Sequence, residues 1–165
     1  EGYPRRSVSE TLPSFEYRKK RYGAHVDGIL PIGKAKRRYA REYHAFIFGI
    51  PLENCTELAS PMVVWEGSHN IIRDYISKLL LEVPLQSWEN LDLTKAYKMA
   101  RREIFSRCRR KIICVPLGGS YILHRLTLHG IMPWQETKKS DNIGRMIAYF
   151  RPTLTEPHFW LHENF

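Results

Sequence analysis

The chain has 165 residues, 43% of them hydrophobic and 12% aromatic, a makeup that fits one folded globular domain spanning 1–165 and excludes a disordered or low-complexity chain. Twenty-six Lys and Arg against seventeen Asp and Glu give a net charge of +9, which favours anionic partners. No apolar run approaches the ~18–20 residues needed to cross a bilayer. The three cysteines, Cys55, Cys108 and Cys114, lack CxxC spacing, which argues against a disulfide framework or structural zinc and fits the reducing cytoplasm.

Residues 1–13, with Pro4 and Pro13, read as an irregular lead-in. Partial alternation over 15–22 predicts a first strand running into His25, and residues 28–38, with Pro31 and Gly33, read as a loop. The apolar run Tyr43-His44-Ala45-Phe46-Ile47-Phe48-Gly49-Ile50 predicts a strand buried on both faces, with His44 a hydrogen-bonded core histidine. Residues 51–60 read as a loop and 61–66 as a strand. Ile71, Ile72, Tyr75, Ile76, Leu79 and Leu80 recur at helical spacing behind Ser68 or Asn70 as N-cap. After Pro84, Asp92 would cap a second helix with Leu93, Ala96, Tyr97, Ala100, Ile104 and Cys108 on its buried stripe. Strands resume at 111–115, 120–124, 127–129 and 145–150. The fold class expected is mainly β, with a helical insert at about 70–109.

Basic residues cluster in Arg18-Lys19-Lys20-Arg21, in 34–41 and in 101–111. With Tyr17, Tyr22, Tyr39 and Tyr43 beside them they allow a polyanion- or nucleic-acid-binding domain as one reading, although no recognised nucleic-acid module is present and a solvated surface that maintains solubility is the plainer explanation.

Chemistry concentrates elsewhere. His25-Val26-Asp27 places an imidazole and a carboxylate two positions apart, on one side of an extended segment. A further histidine from a distant strand would complete two histidines and one carboxylate on one face of a metal. The opposite face would stay open, as non-heme Fe(II) and oxygen chemistry requires. His124 and His129 are the candidates, and an odd spacing would set them on opposite faces of one continuous strand.

Four motifs occur in order: His25-Val26-Asp27, then Gly67-Ser68-His69, then His129-Gly130, then Gly144-Arg145 opening an apolar strand. Over roughly residues 23–152 this order resembles the phytanoyl-CoA dioxygenase-like branch of the Fe(II)/2-oxoglutarate oxygenases. The resemblance implies a double-stranded β-helix (jelly-roll, cupin-like) core, which strands interrupted by helices also fit. It implies Fe(II) held by His25, Asp27 and His129, with 2-oxoglutarate as co-substrate and its far carboxylate on Arg145, since a guanidinium binds carboxylate through paired hydrogen bonds. His69 and His124 would support a ligand or line the substrate pocket. The implied activity is hydroxylation of a small molecule with molecular oxygen. The net charge favours an anionic substrate, received at the basic 34–41 loop or the 101–111 helix end. A cupin-like metalloprotein using the same ligands without 2-oxoglutarate is the alternative. The chain departs from the family pattern in its short lead before His25, in Glu66 where proline is common, in Ile131 where some members carry serine, and in a polar run over 136–142.

Overall fold

The structure, a computed structural model, describes residues 5–135 and 144–162; the polar run over 136–142 lies outside them. Among the described residues are three small antiparallel sheets, three α-helices and two short 3-10 turns. No helix among the described residues is long and apolar enough to cross a membrane.

The first predicted strand is instead helix α1 (Leu12–Lys19). Pro13 sits in its first turn, where the missing N–H costs nothing, and Arg18 and Lys19 lie in its last turn, where cations suit the helix dipole. None of its residues is buried; Arg18 anchors it by gripping Glu10 with two hydrogen bonds, at 3.0 and 2.8 Å. The predicted loop over 28–38 is a hairpin of β1 (Ile29–Ile32) and β2 (Arg37–Ala40). Gly33 and Lys36 adopt positive φ in its turn, and Pro31 is tolerated because this two-stranded sheet has only edge strands.

β3 (Phe46–Pro51) lies between β6 (Tyr121–His124) and β8 (Ile147–Phe150). Its burial alternates residue by residue, so it is covered on one face and not on two as its composition suggested. The third sheet places β4 (Met62–Trp65) between β5 (Arg110–Ile113) and β7 (His129–Ile131). β4 is buried throughout and explains the layering. Val63 and Trp65 face helices α2 (Ser68–Leu80) and α3 (Thr94–Arg107), which meet them with Ile72, Ile76, Leu80, Tyr97, Ala100 and Ile104. Met62 and Val64 turn the other way and pack on Ile47 and Leu123 of the second sheet.

Local chemistry sets the helix starts. α2 is capped by Gly67 at φ 73°, not by Ser68 or Asn70. The Ser68 hydroxyl instead accepts the Leu128 N–H at 2.9 Å, tying helix to sheet. Asp92 acts one residue further upstream than expected, with Leu93 at the cap position, and its carboxylate accepts the Thr94 N–H at 2.9 Å and also binds Arg37. The C-terminal segment is held by Arg125, 1% exposed, whose guanidinium donates to the carbonyls of Ala45, Phe159, Trp160 and His162 at 2.8–3.0 Å.

Candidate metal centre

His25 and His129 face one another across an antiparallel pair. The His25 N–H donates to the His129 carbonyl at 2.8 Å, and the His129 N–H returns the bond at 3.0 Å. Directly opposed residues of such a pair carry their side chains on the same side of the sheet, and the ring centroids lie 4.5 Å apart. On the other side of β7, His129 is paired with Val64, so its ring faces the space between the two larger sheets. Gly130 makes this approach possible. A Cβ there would lie 2.4 Å from the Tyr22 carbonyl oxygen, and that same oxygen accepts the Ile131 N–H at 2.9 Å. The glycine of the His-Gly motif is thus what lets residues 22–25 lie against the strand.

Asp27, two positions beyond His25, completes the cluster. Its Oδ1 is 3.3 Å from His25 Nε2 and 3.6 Å from His129 Nε2, and one donor atom from each of the three residues lies within 4.8 Å of the others. Metal–ligand bonds of about 2.1 Å, at right-angled to tetrahedral geometry, would separate donors by about 3.0–3.4 Å. The cluster is therefore close to coordinating dimensions. Val26 between them is buried, and its N–H donates to the Tyr97 hydroxyl at 3.1 Å, so helix α3 helps to hold the motif in place.

Both imidazoles are oriented in the same way. His25 Nδ1 lies 3.0 Å from the Gly23 carbonyl and His129 Nδ1 lies 3.0 Å from the Thr127 carbonyl. A carbonyl can only accept, so each Nδ1 carries the proton and each Nε2 presents a lone pair toward Asp27. Burial lowers His129 to about 4, helped by the charge of His25 and opposed by Asp27 and the Thr127 carbonyl. Burial alone would raise Asp27. When the imidazoles are protonated, the hydrogen bond from His25 and the charge of His129, together with the bond from Arg151, outweigh it, and the carboxyl is held well below its usual range. At neutral pH the group is thus a neutral buried imidazole beside an ionised carboxylate, and these residues could hold a divalent metal.

Arg151 is the contributor that sequence reasoning missed. Its Nε donates to Asp27 Oδ2 at 2.5 Å, leaving Oδ1 toward the histidines. Its guanidinium lies 5.0 Å from the Tyr149 ring. The signal available was alternation: residues 145, 147, 149 and 151 share one side of an extended segment.

Arg145 does not touch the three converging residues. It donates to the Tyr149 hydroxyl at 2.5 Å, and Tyr121 donates to the same oxygen at 3.0 Å. His124 is not in the metal group either. A turn at Arg125 and Leu126, closed by Thr127 N–H to His124 O at 2.8 Å, separates it from His129, so the two are not on one strand. It pairs with His69, ring centroids 4.7 Å apart, and burial, followed by the charge of His69, lowers it to about 4. His44 is buried and bonds Glu42 at 3.0 Å.

The outer side of the cluster opens into a cleft of about 520 Å3 bordered by His25, Asp27, Arg38, His44 and Arg151. No protein-family model, curated protein or solved structure matches the chain.

Proposed function

We propose that the protein is an Fe(II)/2-oxoglutarate-dependent oxygenase that hydroxylates a small molecule. The observation that carries the reading is the convergence of His25, Asp27 and His129, both Nε2 lone pairs facing one carboxylate, beside an open cleft. Two histidines and one carboxylate with free positions opposite is the donor set that suits non-heme Fe(II). With that metal and 2-oxoglutarate bound, the chemistry supplied is oxidative decarboxylation of the keto acid coupled to hydroxylation of a substrate C–H bond.

The strand order supports a double-stranded β-helix core. From β3 to β8 the chain passes back and forth between the two larger sheets, as a wrapped pair of Greek keys does. The His25 segment adds a further extended piece beside β7.

The protein's own part can be read from its side chains. Nδ1–H bonds to main-chain carbonyls fix both imidazole planes, and Arg151 neutralises and orients the far oxygen of Asp27. The space toward the second sheet carries Tyr121 and Tyr149 beside the apolar Ile47, Met62, Val64 and Leu123. The Tyr149 oxygen accepts from both Arg145 and Tyr121, which leaves its own O–H to donate. A guanidinium and a tyrosine hydroxyl together suit the far carboxylate of a dicarboxylic keto acid. Arg145 thus acts alongside Tyr149, with Arg151 already committed to Asp27.

Anaerobic protein loaded with Fe(II) and titrated with 2-oxoglutarate should develop the weak visible charge-transfer band of a chelated keto acid, and admission of oxygen should release succinate. Asp27→Ala should abolish both. Succinate release undiminished in Asp27→Ala would overturn the assignment, and metal binding without the band would favour a cupin-like metalloprotein that does not use the keto acid.

A further inference from the structure

A second cleft, of about 580 Å3, adjoins the first and shares His25, Pro31 and Arg38 with it. Four cationic side chains border it, Arg18, Lys36, Arg38 and Arg101, against one carboxylate, Glu10. Arg18 already neutralises Glu10 by its two hydrogen bonds. Lys36 also acts electrostatically on Glu10, whereas Arg38 and Arg101 make no ion pair with a carboxylate among the described residues.

Arg38 and Arg101 are the informative pair. Both are half-buried, and their guanidinium carbons lie 5.3 and 5.6 Å from the ring centre of one tyrosine, Tyr97. Arg38 makes a single side-chain bond, to the Ile29 carbonyl at 3.3 Å. Arg101 Nε is buried without any hydrogen-bond partner. Two like charges over one ring repel, and a buried N–H without an acceptor costs free energy. Burial lowers Arg38, and Arg101 adds to that against the opposing effect of Tyr97. One oxyanion between the two guanidiniums would relieve the repulsion and offer Arg101 Nε its acceptor. The hydroxyl of Tyr97 meanwhile holds the Val26 N–H, so this ring joins the arginine pair to the metal-ligating segment.

We propose that Arg38 and Arg101 form an anion-binding subsite for the substrate, holding a carboxylate or phosphate group while the rest of the molecule reaches past His25 to the metal face. The subsite deepens the oxygenase reading and rests on it for the identity of its occupant as substrate.

The test titrates chelator-stripped protein with inorganic phosphate and, separately, with propionate at fixed ionic strength, by calorimetry. One saturable site per chain is expected. Arg38→Gln and Arg101→Gln should each weaken it at least tenfold, Arg101→Lys should weaken it less, and Lys98→Gln, on the exposed side of α3, should leave it unchanged. Preference for phosphate assigns a phosphorylated substrate, and preference for propionate a carboxylic acid. The proposal fails if neither anion saturates, if Lys98→Gln weakens binding as much as the arginine variants do, or if folded Arg101→Gln binds as tightly as the parent. Should Arg38→Gln not fold, the two Arg101 variants decide. Mn(II) binding, followed by electron paramagnetic resonance on the same preparations, keeps the two readings apart. Arg101→Gln should retain Mn(II), and protein that binds phosphate at the arginines but takes up no Mn(II) retains the subsite and loses the metal centre. In Mn(II)-loaded protein, paramagnetic relaxation of the bound phosphate should appear in the parent and diminish in Arg101→Gln. Relaxation unaffected by Arg101→Gln would mean that the metal alone holds the phosphate and would overturn the subsite.

Discussion

Gly130→Ala probes the metal centre without touching a ligand. The added methyl would start 2.4 Å from the Tyr22 carbonyl oxygen and 3.2 Å from the Ala24 nitrogen. Carbon normally stays at least about 3.3 Å from a carbonyl oxygen, so residues 22–25 must retreat by roughly 0.9 Å. Both contacts are main chain, so no side-chain rotation offers relief. The retreat breaks the Ile131 N–H bond to Tyr22 and stretches the reciprocal His25–His129 pair, a loss of about 1–3 kcal/mol in stability. The larger effect falls on the metal, because ligand constellations tolerate displacements of only about 0.5 Å. The assay is thermal unfolding with and without Mn(II). At a free metal concentration of about one hundred times Kd, the parent should gain about 2.7 kcal/mol, and Gly130→Ala should lose most of that gain as well as its baseline stability. A variant with unchanged baseline and an undiminished Mn(II) shift would refute the packing argument and the geometry of the site together.

Lowering the pH should destabilise the metal-free protein between about 6.5, where free histidine titrates, and about 4, where His129 and His124 titrate when folded. In that window the unfolded chain takes up protons that the folded one refuses, so stability falls as pH falls; below it, protonation of Asp27 adds a further loss, its carboxyl being depressed in the fold. Unfolding midpoints between pH 7.5 and 4.5 measure this, and a flat profile would contradict the burial of neutral imidazoles. Tyr149→Phe removes the oxygen shared by Arg145 and Tyr121 and should raise the 2-oxoglutarate requirement roughly tenfold or more with Mn(II) affinity intact; an unaltered requirement would move the co-substrate elsewhere. Arg125→Met withdraws the donors of four main-chain carbonyls and should cost about 3 kcal/mol or more in urea unfolding; a loss below about 1 kcal/mol would show that water replaces the guanidinium.

What could be read from the sequence followed from local patterns. The apolar run of β4 and the helical spacing of α2 and α3 were visible because burial dictates periodicity. The meeting of His25, Asp27 and His129 was anticipated from motif order, although Gly130 explains it physically and its role required the neighbouring segment. Misreadings arose where pattern was weak. Residues 15–22 alternate partially, yet Pro13 and the basic last turn favour a helix, and Gly33 makes a hairpin of residues 28–38. Arg151 and the Arg38–Arg101 pair were not legible as such, because each depends on contacts between residues far apart in the chain, 124 positions for Arg151 and Asp27.

The two imidazoles are unequally sheltered, with the side chain of His129 4% exposed and that of His25 41% exposed. An incoming cation would therefore meet His25 at the surface first and exchange a hydration water for the interior nitrogen only afterwards. Departure runs in reverse, so the exposed ring governs how fast metal is exchanged, and the sheltered one how tightly it is retained. Replacing His25 should speed metal loss out of proportion to any weakening of the fold, whereas replacing His129 should leave a hole in the interior that the protein registers with or without a metal.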